Sequence, residues 1–208
     1  MQWGVYIHIP FCRQKCFYCD FPSYAGKEKL MESYTEALCQ QIEIQGLSFR
    51  QKWGKPATVY MGGGTPTALP PQYMEQVLQA IRTHIGQEIA EFTVECNPGT
   101  VDAAYLQLLR AEGVNRLSFG VQSFQDELLR RIGRIHSGED AVQAVKMARQ
   151  AGFESISVDL MYGLPGRVWR ICRQVSGRQR NYRSSIFPSM VCSWRKVQPL
   201  PVWQNWAN

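Results

Sequence analysis

Val5-Tyr6-Ile7-His8-Ile9-Pro10-Phe11-Cys12-Arg13-Gln14-Lys15-Cys16-Phe17-Tyr18-Cys19-Asp20-Phe21 is the stretch on which the fold turns. An extended apolar run leads into three cysteines, Cys12, Cys16 and Cys19, spaced C-x-x-x-C-x-x-C. Three thiolates on one short loop can hold three irons of a cubane [4Fe–4S] cluster and leave the fourth iron without a protein ligand. A zinc site and three reduced core cysteines are the alternatives. Zinc knots add a second C-x-x-C pair or histidines about fifteen residues on, and no such partner follows.

Outward from this loop, as far as about residue 166, short apolar strands alternate with amphipathic helices. Strand-like runs cover residues 5–9, 58–61, 92–95, 116–119 and 155–161. Between them Leu30, Tyr34, Leu38 and Ile42 recur at helical spacing. So do Tyr73, Val77 and Ile81, then Tyr105, Leu108 and Leu109, then Val142, Val145 and Ala148. Pro70-Pro71 and Gly99-Thr100 read as two helix starts, and Gly113 and Gly152 as two helix ends. This order predicts an α/β fold with a parallel sheet, part of a (β/α) barrel whose ligands gather at the carboxyl ends of the strands.

Polar motifs stand at those ends. After the second strand comes Gly62-Gly63-Gly64-Thr65-Pro66-Thr67, where glycine lets the backbone approach a ligand and Thr65 adds a hydroxyl. Glu95 ends the third strand, Gln122 lies past the fourth, and Asp159 ends the fifth within Val158-Asp159-Leu160-Met161-Tyr162-Gly163-Leu164-Pro165-Gly166. Arg134 stands in Arg131-Ile132-Gly133-Arg134-Ile135-His136. Singly, each has a bland reading as a solvated strand end, a loop brace or a surface charge.

Together, in barrel order behind the cysteine loop, these motifs resemble the radical S-adenosylmethionine (SAM) superfamily. The segment from Tyr6 to Tyr24 is closely similar to the branch containing oxygen-independent coproporphyrinogen III oxidases and HemW-type heme chaperones. The resemblance implies a partial radical SAM barrel. It also implies that the SAM amino and carboxylate groups chelate the open iron, and that an electron from the cluster cleaves SAM to a 5′-deoxyadenosyl radical. Cys12, Cys16 and Cys19 become the cluster ligands. Tyr6 contacts SAM, Tyr18 packs beside the adenine or shields the cluster, and Gly63, Gly64 and Thr65 belong to the turn that meets the SAM amino group. Glu95 meets the ribose hydroxyls or the ammonium, and Arg134 pairs with the SAM carboxylate. Gln122 and Asp159 complete the contacts.

Within the branch, oxidases carry a further cysteine two residues after the third ligand. Here that position is Phe21, and the Asp20-Phe21 pair resembles the chaperones. The expected function is therefore delivery of heme to an acceptor protein, with a reductant serving the cluster. Oxidative decarboxylation of coproporphyrinogen III is the alternative, and a non-functional fragment a third reading. His8 and His136 could ligate heme but read as structural. Cys39 and Cys96 read as packed residues. Cys172 and Cys192 carry no inferable role.

The chain has 208 residues, 45% of them hydrophobic, which suits one core but is short for a complete enzyme of this branch. Its seven cysteines suit metal ligation in a reducing compartment. With neither a signal peptide nor an apolar run of membrane-spanning length in the sequence, a cytoplasmic protein is expected. The formal charge of +6 does not predict a nucleic-acid partner, because between Arg167 and Lys196 there are seven Arg, one Lys and no Asp or Glu. That composition is typical of out-of-frame translation. Reading Ser185 to Gln198 one nucleotide earlier, with permitted codons, yields HISLYGLQLEKGT, which resembles the family's next strand and loop. The expected organisation is a radical SAM core over 1–166, incomplete at its C-terminus. Residues 167–208 are expected to form an aberrant, disordered tail that leaves the fifth strand with an unpaired edge.

Overall fold

Period-two alternation along the strands sorts the two faces of the sheet. The computed structural model describes residues 3–164 and 190–196. Its strands are β1 Gly4–Ile9, β2 Thr58–Gly63, β3 Glu91–Cys96, β4 Arg116–Gln122, β5 Ser155–Tyr162 and β6 Met190–Lys196. All are parallel and lie side by side in chain order. The helices are α1 Met31–Trp53, α2 Pro71–His84, α3 Ala103–Ala111, α4 Asp126–Arg131 and α5 Gly138–Gln150. This is the succession of β/α units expected of a radical SAM barrel.

One set of alternating side chains, including Ile7, Val59, Met61, Val94, Leu117, Phe119, Val158 and Leu160, is buried in the core shared with α1, α2, α3 and α5. The other set is polar. Tyr6 stands beside Tyr60, Glu95 beside Ser118, Ser118 beside Ser157, and Gly120 beside Asp159. Parallel sheets are usually apolar on both faces, so a strand set polar on one face signals a lined interior. Hydrogen bonds cross it: Arg116 donates to Thr93 Oγ1 and to Ser157 Oγ, each at 3.1 Å, and Ser157 donates to Ser118 at 2.9 Å.

Local chemistry fixes the helices. Pro71 supplies the first residue of α2, and Met74, Val77, Leu78 and Ile81 bury its inner face. Ser137 and Asp140 form a reciprocal capping box on α5. At α3 the expected start is corrected. Gly99 and Thr100 belong to a 3₁₀ turn, Pro98–Thr100, and the helix begins after Asp102, whose carboxylate accepts the Tyr105 N–H at 2.7 Å. Leu30 is corrected as well, being exposed in a 3₁₀ turn ahead of α1. The unpaired edge expected of β5 is not observed, because Met190–Lys196 runs parallel to it from Ile156↔Met190 to Tyr162↔Lys196. The rest of the expected tail, Cys172 included, lies outside the described residues.

Candidate functional site

The cysteine loop is held at both ends by the strand it leaves. Tyr24 donates its N–H to the Pro10 carbonyl at 2.7 Å, and Cys12 donates to the Tyr24 carbonyl at 2.9 Å, so the chain returns beside its point of departure. Within the loop Cys19 N–H closes a turn on the Cys16 carbonyl at 3.1 Å. The Lys15 ammonium ties the far side, donating to the Phe21 carbonyl at 2.6 Å and to Ser23 Oγ at 2.9 Å.

The glycine turn after β2 docks on the same strand end. Gly64 and Thr65 donate their N–H groups to the carbonyls of Ile9 and Phe11, each at 2.8 Å. Gly63 has φ of 113°, a conformation that favours glycine. Thr65 Oγ1 lies 3.7 Å from Cys12 Sγ, so the turn touches the first cysteine.

Glu95 projects from the end of β3 and is anchored through both oxygens. Tyr60 donates its hydroxyl to Oε1 at 2.7 Å, and Gly63 N–H donates to Oε2 at 3.3 Å. Burial, then the Glu95 bond and charge, push the Tyr60 phenol up, so it remains a donor. Gly62 is needed between them, since a Cβ there falls 2.9 Å from both Glu95 Oε2 and the Tyr60 ring.

Past β4 the backbone is strained. The register slips between Gly120 and Gln122 in a bulge, and Gln122 takes φ of 68°, the single positive φ of a non-glycine residue among the described residues. Bulges and left-handed non-glycine residues gather at functional sites, where they re-aim side chains. The adjacent Val121 carbonyl accepts from Ser123 N–H at 2.8 Å and from His136 Nε2 at 3.1 Å. His136 Nδ1 lies 3.2 Å from the Asn97 amide oxygen. With its Nε2–H bonded to the Val121 carbonyl and its side chain buried, His136 is a structural brace.

Arg134 follows the left-handed Gly133 that ends α4. Its Nη1 donates to Cys16 Sγ at 3.4 Å and its Nη2 to the Gly120 carbonyl, while its buried Nε has no hydrogen-bond partner. Tyr18 rests on an apolar cluster of Leu128, Ile132, Met161 and Leu164. Burial raises its phenol pKa, opposed by the Arg134 charge and reinforced by the Cys16 thiol. His8 is also committed: Nδ1 accepts from Tyr6 at 3.0 Å and Nε2 donates to the Pro22 carbonyl at 2.9 Å. Cys39 and Cys96 are packed against or within the core.

These elements enclose one cavity of about 720 Å³. Cys12, Cys16, Cys19, Tyr6, Tyr18, Gly63, Gly64, Thr65, Glu95, Gln122, Arg134 and Asp159 all line it. Every site residue expected from the sequence therefore meets in one place. Tyr60, Lys15, Asn97 and Ser118 line it too and were not anticipated. For Tyr60 the signal was available, since it shares the polar alternation with Tyr6 and Glu95. Ser118 shares that alternation as well, but Lys15 and Asn97 had no such periodic marker.

The donor set suits a cluster. Among the described residues no three His, Cys, Asp or Glu side chains converge to hold a single ion. A cubane asks for a different arrangement, because each thiolate takes its own iron and the sulfurs stand apart around a cage. The unpartnered Arg134 Nε offers a donor to an anionic ligand. The glycine turn offers the close backbone approach that a Cβ would obstruct.

Comparison with known proteins agrees with this arrangement. The family described as the Radical SAM superfamily matches residues 6–171. The chain belongs to the radical SAM superfamily. A heme chaperone HemW from Bacillus subtilis is 43% identical over 168 residues, covering 79% of this chain and 43% of the relative. An oxygen-independent coproporphyrinogen III oxidase from Bradyrhizobium diazoefficiens is 35% identical over 171 residues, covering 81% of this chain and 38% of the relative. Among solved structures, the radical SAM enzyme coproporphyrinogen III oxidase (HemN) from Escherichia coli aligns with a TM-score of 0.81 at 29% identity. That alignment covers 97% of this chain and 45% of the other. The chain thus spans less than half the length of these relatives. Among the described residues of this radical SAM protein, no helix is long and apolar enough to cross a membrane.

Proposed function

We propose that this radical SAM chain carries the cluster and SAM half of a HemW-type heme chaperone. The observation that carries the reading is the convergence of Cys12, Cys16 and Cys19 with the turn, Glu95, Gln122, Arg134 and Asp159 on one cavity. A [4Fe–4S] cluster held by three cysteines supplies one electron and an open coordination position. The three cysteines hold it. The Gly63 to Thr65 turn and Glu95 would hold the SAM amino group and ribose, and Arg134, whose Nε has no partner among the described residues, would hold the carboxylate. Tyr60 holds Glu95 in place, and Tyr18, bonded to Cys16, would shield the cluster. Charge-assisted hydrogen bonds of this kind contribute about 1.5–3 kcal/mol each.

The chaperone reading over the oxidase is supported by the higher identity to HemW, 43% against 35%, and by Phe21 at the cavity rim. The oxidase remains the second reading on the strength of the HemN alignment. Heme, a heme-acceptor protein and an electron donor are the partners this function requires. We further propose that residues 167–208 are out of frame, so the test uses a frame-restored chain. Anaerobic heme titration of the restored chain should give saturable binding, and incubation with coproporphyrinogen III, SAM and reductant should give no decarboxylated product. Product formation without heme binding makes the protein an oxidase.

A further inference from the structure

The cysteine loop is clamped from a distance in sequence by the turn after α4. Phe17 N–H donates to the Ile132 carbonyl at 3.2 Å, and Gln14 Nε2 donates to the Gly133 carbonyl at 3.2 Å. The Phe17 ring packs so close to Gly133 that a Cβ there would touch it at 3.4 Å. The turn itself is rigid: Gly133 N–H bonds to the Arg130 carbonyl at 3.1 Å and Arg134 N–H to the Leu129 carbonyl at 2.9 Å. Arg134 leaves this clamp with its Nη1 on Cys16 Sγ and its Nη2 on the Gly120 carbonyl. Among the described residues it is the one cation with a nitrogen on a cysteine sulfur.

We infer that Arg134 is a redox-tuning residue of the cluster, in addition to any contact with SAM, through its charged N–H···S bond to Cys16. The inference rests on the cluster reading above, with Cys16 Sγ standing for a ligating thiolate. Reduction adds negative charge to the cluster, and hydrogen bonds and net charge at the sulfurs set cluster potentials. A guanidinium 3.4 Å from one ligand sulfur stabilises the reduced form and raises the potential. The bond to the Gly120 carbonyl keeps the guanidinium in position, so the bulge of β4 takes part in the tuning.

The test is a dye-mediated reductive titration of the reconstituted protein, followed by EPR with SAM absent, so that SAM affinity does not enter. R134Q should keep its iron and acid-labile sulfide. It should also show at least a tenfold loss in the reduction equilibrium at a given potential, which for one electron is a shift of about 59 mV to the negative. R134K, which keeps the charge and loses the fork, should fall between the two. If R134Q assembles no cluster, R134K alone decides. An unchanged midpoint in the variant that carries a full cluster overturns the inference. Failure of the cluster reading shows separately, as a wild-type chromophore that survives in Cys16→Ala.

Discussion

Burial, with the Arg134 charge adding to it, pushes the His136 imidazole down to about 4. An unfolded chain takes up this proton near the ordinary value of 6.5, so the unfolded state binds more protons between pH 6.5 and 4. Stability from this site is full above 6.5 and is lost as pH falls through the window, on the order of 3 kcal/mol in all. His136→Gln, which keeps a donor for the Val121 carbonyl, should flatten that slope. Urea midpoints at pH 7 and pH 4.5 check it, and equal pH slopes for the two proteins would contradict the role. At this scale the cysteines, Glu95, Arg134 and Asp159 are legible because the cysteine spacing and the resemblance it carries mark them together, although each alone has a bland reading. Tyr60 as the partner of Glu95 and Asn97 as the neighbour of His136 are not, because each pairing depends on strand register and on a loop that no local pattern encodes.

At the scale of elements, the site depends on the glycine turn docking against β1. A Cβ at Gly64 would fall 2.6 Å from the Phe11 carbonyl oxygen and 3.0 Å from that of Ile9, the acceptors that hold the turn. Backbone cannot yield as a flexible side chain can, so Gly64→Ala should cost about 1–3 kcal/mol and displace Thr65 from Cys12. A lower thermal midpoint with poor iron incorporation is the expected result, and a variant identical to wild type on both counts would show that the turn is not held as described. The five strands within residues 5–161 are readable as short apolar runs between helical patterns, and α2 from its proline start. The start of α3 was misplaced because Asp102, a side-chain cap, outweighs the preceding glycine. The bulge of β4 is not legible in the sequence, since a left-handed Gln122 leaves no mark in composition. β6 was not anticipated because Arg167 to Lys196 lacks periodic apolar residues, while its observed pairing is made by backbone.

For the molecule as a whole, a parallel sheet with one polar face points to a lined interior, and Tyr6, Tyr60, Glu95, Ser118 and Asp159, one from each strand from β1 to β5, line one cavity with the cysteine loop. Anaerobic reconstitution with iron and sulfide, read by metal content, absorbance and the EPR signal of the reduced state, tests that convergence most directly. The intact chain and Cys39→Ala should each hold about four irons and four sulfides, whereas Cys12→Ala, Cys16→Ala and Cys19→Ala should each lose the brown chromophore and its signal. A cluster that persists in Cys16→Ala, or that disappears in Cys39→Ala, would contradict the site.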